Sequence, residues 1–228
     1  MNLFQAIIFD MDGVLIDSEP LFLDAVNSLV LQAGKDPITN TENQKHLLGT
    51  TVEETWRRVI KMRDLPLTVE ECVSQYDPIV RQVLEDHLVP QPGVRDLIHS
   101  LKERGLPKAV ASSALRSWVE LKLDTIGLRD EFDTYFGGDD VTSGKPAPDI
   151  YLKAAKAVGV HPKECIAIED SPFGIAAAKS AGMYTIAVLT ESTRGLDLSE
   201  ADVILETLED FQIDLLANHK LMTTSQQN

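Results

Sequence analysis

Apolar and polar positions change rhythm twice along the chain. Residues 6–9 (Ala-Ile-Ile-Phe) are uniformly apolar over the length of a buried strand. The run breaks into Asp10 and Asp12 on either side of Met11, and Gly13 follows where the backbone must turn. The pattern then becomes helical. Ser18 is placed to cap a helix, Pro20 lies in its first turn, and Leu21, Ala25, Leu29 and Ala33 recur at helical spacing before Gly34. Three Thr-x-x-Glu capping boxes follow, Thr39 to Glu42, Thr51 to Glu54 and Thr68 to Glu71, each just ahead of a helical segment. From Glu19 to about His87 nothing reads as a strand.

Pro90-Gln91-Pro92-Gly93 marks the second change. Helix stripes ended by glycine now alternate with short apolar runs. The helices are a Val94, Leu97, Ile98, Leu101 stripe ended by Gly105, Leu115 to Ile126, Pro148 to Val158, and one that follows Glu169-Asp170, opening near Pro172 and running to Ala181. The strands are Ala109-Val110-Ala111, Tyr135-Phe136, Cys165 to Ile168, Tyr184 to Leu189 and Val203-Ile204, with a last helix around Thr207 to Leu216. Strand alternating with helix predicts an α/β protein with a doubly wound, Rossmann-like parallel sheet. The first strand has no helix of that kind after it. The economical division is therefore a core of residues 1–15 and 89–217, a helical insertion at 16–88, and a loose tail at 218–228.

Composition narrows the class. At 228 residues, with 43% hydrophobic and 25% charged, the chain has the make-up of a soluble globular protein that can bury a full core. No apolar run is long enough for a membrane span, and the N-terminus lacks a basic region, so a cytoplasmic protein is expected. A formal charge of −15 argues against nucleic acid or an anionic membrane as partner. An anionic substrate would need locally concentrated positive charge. Cys72 and Cys165 form no Cys-x-x-Cys pair, and the five histidines show no ligand spacing.

In an open parallel sheet ligands bind at the carboxyl ends of the strands. Here those ends carry Asp10 and Asp12, Ser112 and Ser113, and Glu169 and Asp170, while a later loop offers Gly144-Lys145-Pro146. Each has a plain alternative. The two aspartates suit a turn, the serines or the Glu-Asp pair suit a helix cap, and Lys145 suits a solvated loop. Together, in this order, they favour a site.

As a set, Phe-Asp10-Met-Asp12-Gly-Val-Leu-Ile-Asp17-Ser-Glu, Val-Ala-Ser112-Ser, Gly-Lys145-Pro-Ala-Pro-Asp-Ile-Tyr and Ile-Glu169-Asp170-Ser-Pro-Phe-Gly resemble the haloacid dehalogenase-like (HAD) phosphatases with a small helical cap. The resemblance runs from residue 6 to about 190. It implies a four-helix cap at the insertion, Asp10 as nucleophile forming an aspartyl-phosphate, and Asp12 as general acid and base. It also implies Mg²⁺ held by Asp10, the Asp12 backbone carbonyl, Glu169 and Asp170. Lys145, Ser112 and Ser113, with Thr50 and Thr51 from the cap, would bind the phosphate. Carboxylates about 4 Å apart repel by roughly 4 kcal/mol even at a screened dielectric, so such a pocket needs a cation.

The branch most resembled is that of β-phosphoglucomutases and sugar- or hexitol-phosphate phosphatases. Dehalogenases do not keep the second aspartate, so Asp12 points to phosphate chemistry. Where the mutases carry a phosphate-binding cap arginine this chain has Val52, and Phe22 replaces their histidine. The expectation is hydrolysis of a small phosphorylated metabolite, a sugar or polyol phosphate, by a monomer. Arg57 and Arg58 keep a mutase as the alternative, and a non-catalytic phospho-ligand sensor on the same fold is an alternative of another class.

Overall fold

A computed structural model of the chain describes residues 4–47 and 52–216. The residues fall into two compact units, one made by those up to Asp17 and from Val89 on, the other by Ser18–Leu88.

The larger unit is built on six parallel strands: β1 (Ala6–Phe9), β2 (Lys108–Ala111), β3 (Thr134–Phe136), β4 (Cys165–Glu169), β5 (Tyr184–Val188) and β6 (Val203–Leu205). Their order in the sheet is β3-β2-β1-β4-β5-β6, so the chain runs outward from β1 to one edge, then returns to fill the other side. That reversal makes the carboxyl end of β1 the switch point of the sheet, where a crevice opens. Strands buried on both faces explain the unbroken apolar runs at residues 6–9 and 165–168.

Side-chain alternation assigns the faces. Ala6, Ile8, Ala109, Ala111 and Ala167 pack with Ile150, Tyr151, Ala154 and Ala155 of α7 (Asp149–Val158) and with Ala177 and Ala178 of α8 (Pro172–Ser180). The many alanines let these helices approach the sheet closely. On the other face Phe9 meets Phe132 edge-on at 5.8 Å between centroids. The remaining helices of this unit are α5 (Val94–Glu103) and α6 (Arg116–Thr125). Just after β1, Ile16 bridges to Pro90 and the Gln91 amide donates to the Leu15 carbonyl at 2.9 Å. The chain thus leaves the sheet unit and re-enters it side by side.

The smaller unit holds α1 (Glu19–Gln32), α2 (Asn40–His46), α3 (Val52–Arg63) and α4 (Val69–His87). Both α1 and α3 pack on α4, around the buried Trp56 and Tyr76 rings, which meet edge-on at 5.5 Å. The Thr39 and Thr68 capping boxes are present in full; Thr51 lies outside the described residues. No helix among the described residues is long and apolar enough to cross a membrane.

Two local expectations need correction. Ser18 sits at the N-cap of α1, but its backbone is already helical and its side chain makes no capping hydrogen bond. The helix expected at Thr207 to Leu216 is instead two short 3-10 turns, Leu208–Asp210 and Ile213–Leu216. Leu208, Phe211, Ile213 and Leu216 are spaced three, two and three apart, which does not keep one helix face.

Candidate active site

Asp10 is the first residue past β1, and its amide donates to the Ile168 carbonyl at 2.9 Å, tying it to β4. Register carries Glu169 and Asp170 to its side, since Phe9 pairs with Ile168. Carboxylate oxygens of Asp10, Glu169 and Asp170 all lie within 4.8 Å of one another, and all three residues are buried. Lys145, its side chain 6% exposed, bonds to both Asp10 Oδ1 and Glu169 Oε1. Glu169 is held further by the Tyr151 hydroxyl at 2.6 Å and by the Ser171 hydroxyl and Asp170 amide at 3.2 and 3.1 Å.

Two glycines make room for the cluster. A Cβ on Gly13 would sit 2.0 Å from Asp170 Oδ2, and one on Gly174, in the first turn of α8, would sit 1.9 Å from Glu169 Oε1. Gly13 also takes φ +92°, which favours glycine.

The electrostatics follow from packing three carboxylates against one ammonium. Burial pushes Asp10 up to about 7, with Lys145 pulling it down and Glu169 pushing it up. Burial, then Asp10 and Glu169, push Asp170 up to about 8. Burial opposes the Lys145 charge, but the Asp10 and Glu169 carboxylates outweigh it and hold the ammonium above its usual range. Burial, with Glu169 beside it, raises Tyr151 and keeps it a donor. No donor among the described residues hydrogen-bonds the Asp170 carboxylate. A buried acid whose carboxylate finds no hydrogen-bond donor among the described residues, beside two further acids, suits a hard divalent cation, so the donor set fits Mg²⁺.

Ser112 is buried just past β2; its amide donates to the Phe136 carbonyl at 3.0 Å and its Oγ accepts from the Ala114 amide at 3.1 Å. Since Phe9 pairs with Val110, Ser112 and Asp10 lie beyond the carboxyl ends of adjacent strands. Ser113 is exposed beside it. Thr50 and Thr51 lie outside the described residues. The Asp12 side chain, whose charge adds to the upward push on Asp10 and Asp170, bonds to Lys122 of α6 at 2.5 Å.

Sequence reasoning missed Lys122 and, although Tyr151 and Gly174 fall within the quoted motifs, gave neither a role. Lys122 had a readable signal, as it shares a helical stripe with Val119, Leu123 and Ile126, where a lysine is out of place.

A family model for the haloacid dehalogenase-like hydrolases matches residues 7–188. This chain belongs to that family. The hydrolase is 31% identical over 201 residues to a phosphorylated carbohydrates phosphatase of Thermotoga maritima, covering 88% of this chain and 92% of the relative. It is also 31% identical over 214 residues to the bifunctional riboflavin kinase/FMN phosphatase of Arabidopsis thaliana, where it spans 93% of its own length but only 56% of that protein. CbbY of Rhodobacter sphaeroides, crystallised with xylulose-(1,5)bisphosphate, superposes with a TM-score of 0.80 at 28% identity, covering 94% of this hydrolase and all of that chain.

Proposed function

We propose that this hydrolase cleaves a small phosphate monoester, a sugar or polyol phosphate, in an Mg²⁺-dependent reaction through an aspartyl-phosphate on Asp10. The observation that carries the reading is the meeting of Asp10, Glu169 and Asp170 around Lys145 at the switch point of the sheet. Asp10 attacks phosphorus, and the ester P–O bond breaks as Asp12 gives its proton to the departing oxygen. Asp12 then takes a proton from the water that attacks the aspartyl-phosphate, which frees inorganic phosphate and restores both aspartates. Ser112 and Ser113, with Lys145, hold the non-bridging oxygens. Asp10, Asp170, Glu169 and the Asp12 carbonyl would hold Mg²⁺, which supplies charge neutralisation at the phosphoryl group. The helical insertion at 16–88 takes the part of the substrate-choosing cap, with Thr50 and Thr51 as phosphate contacts. We assign the enzyme to the cytoplasm and expect a monomer.

The relatives support this substrate class, since one acts on phosphorylated carbohydrates and another was crystallised with a sugar bisphosphate. Mutase-type transfer is disfavoured because Val52 stands where the mutases carry their cap arginine and Phe22 where they carry a histidine. Turnover of a panel of phosphate monoesters with Mg²⁺ tests the proposal. Background rates on every ester would refute it. Conversion of β-glucose 1-phosphate primed with its bisphosphate, faster than its hydrolysis, would restore the mutase.

A further inference from the structure

Each of the two aspartates of the first motif has a lysine of its own. Lys145 serves Asp10 together with Glu169, while Lys122 reaches Asp12 from α6, 2.5 Å from Nζ to Oδ1. The Lys122 side chain is 2% exposed and that of Asp12 37%. Taking an ammonium out of water is expensive, and an apolar side chain of equal length would fill the α6 stripe between Val119 and Leu123 at less cost. The charge at this position therefore needs a reason beyond packing. Asp12 supplies one, since its side chain is more open to solvent than those of the three clustered acids and needs an anchor to keep a fixed direction.

We propose that Lys122 is a positioning residue for Asp12. By engaging Oδ1, it fixes the direction in which the carboxyl group presents its proton to the departing oxygen. This rests on the reading of Asp12 as the general acid. In this role the effect of the ammonium passes through the direction of one carboxyl group.

The test uses kcat/KM, which covers steps up to P–O cleavage, on two esters with Mg²⁺ present. A hexitol phosphate has a poor leaving group and needs the proton; p-nitrophenyl phosphate has an acidic one and does not. Lys122→Met should lose about a hundred-fold on the hexitol phosphate, mostly in kcat, and only a few-fold on the aryl ester. Lys122→Arg should recover most of the loss. In an Asp12→Ala background Lys122→Met should add nothing. Lys122→Gln serves as the uncharged variant if the methionine protein does not fold, judged by near-ultraviolet circular dichroism. Equal losses on both esters, or a full extra loss on top of Asp12→Ala, would overturn the proposal. If Asp12→Ala itself fails to separate the two esters, the acid assignment falls, and with it the part given to Lys122. If Asp12→Ala separates them and the Lys122 variants do not, only the latter falls.

Discussion

Gly13 lies against Asp170 so closely that a methyl group there would stand 2.0 Å from the carboxylate oxygen. The contact ties the turn after β1 to the end of β4, and it explains why the turn carries no side chain. Gly13→Ala is expected to cost about 1–3 kcal/mol from backbone strain at φ +92°, plus the displacement of Asp170. Thermal unfolding would show a lower midpoint, and the Mg²⁺ concentration for half-maximal activity would rise. Unchanged metal dependence would remove Asp170 from the ligand set.

Asp10→Asn keeps the shape of the side chain and removes the proposed nucleophile. Turnover should fall by about 10⁴-fold or more, with no acid-stable phosphate label on the protein. Single-turnover labelling beside the wild type checks both.

Tyr151→Phe deletes the 2.6 Å hydrogen bond to the buried Glu169 carboxylate. Loss of a bond to a charged acceptor is worth about 1.5–3 kcal/mol. Denaturant titration should register that loss, while the Lys145 bond to Glu169 keeps the site assembled and activity measurable.

The metal-free protein should respond to pH in a direction opposite to that of a salt-bridged surface acid. Asp10 and Asp170 rise from 3.8 to about 7 and about 8, so the folded chain binds more protons than the unfolded one across that interval. Stability in EDTA is therefore greatest at the acid end and falls as pH rises from roughly 4 to 8, by a few kcal/mol. Mg²⁺ should reverse the fall, with its largest stabilisation near pH 8. Midpoints at pH 5 and pH 8, with and without the metal, decide it; a rise in EDTA would contradict the crowding of carboxylates.

The sheet was legible because buried strands and their glycine-ended helices leave strong periodic signals, and the strand ends displayed Asp10, Ser112, Glu169 and Asp170 directly. What surrounds them was not. Tyr151 lies in an ordinary helix stripe, and only the fold reveals that its hydroxyl meets Glu169. The Asp12 partner is 110 residues away, beyond any local pattern. The C-terminal turns misled for a simpler reason, since a few apolar residues at uneven spacing look helical until each must find its own pocket.

The central position of β1 has a consequence for biosynthesis. Ala6–Phe9 is synthesised well before its partner Cys165–Glu169. Until then one edge of this apolar strand has no neighbour, and Asp10 has no Glu169 or Asp170 beside it. A chain cut short before β4 would thus expose a sticky edge without gaining chemistry, so burial of that edge and completion of the site coincide.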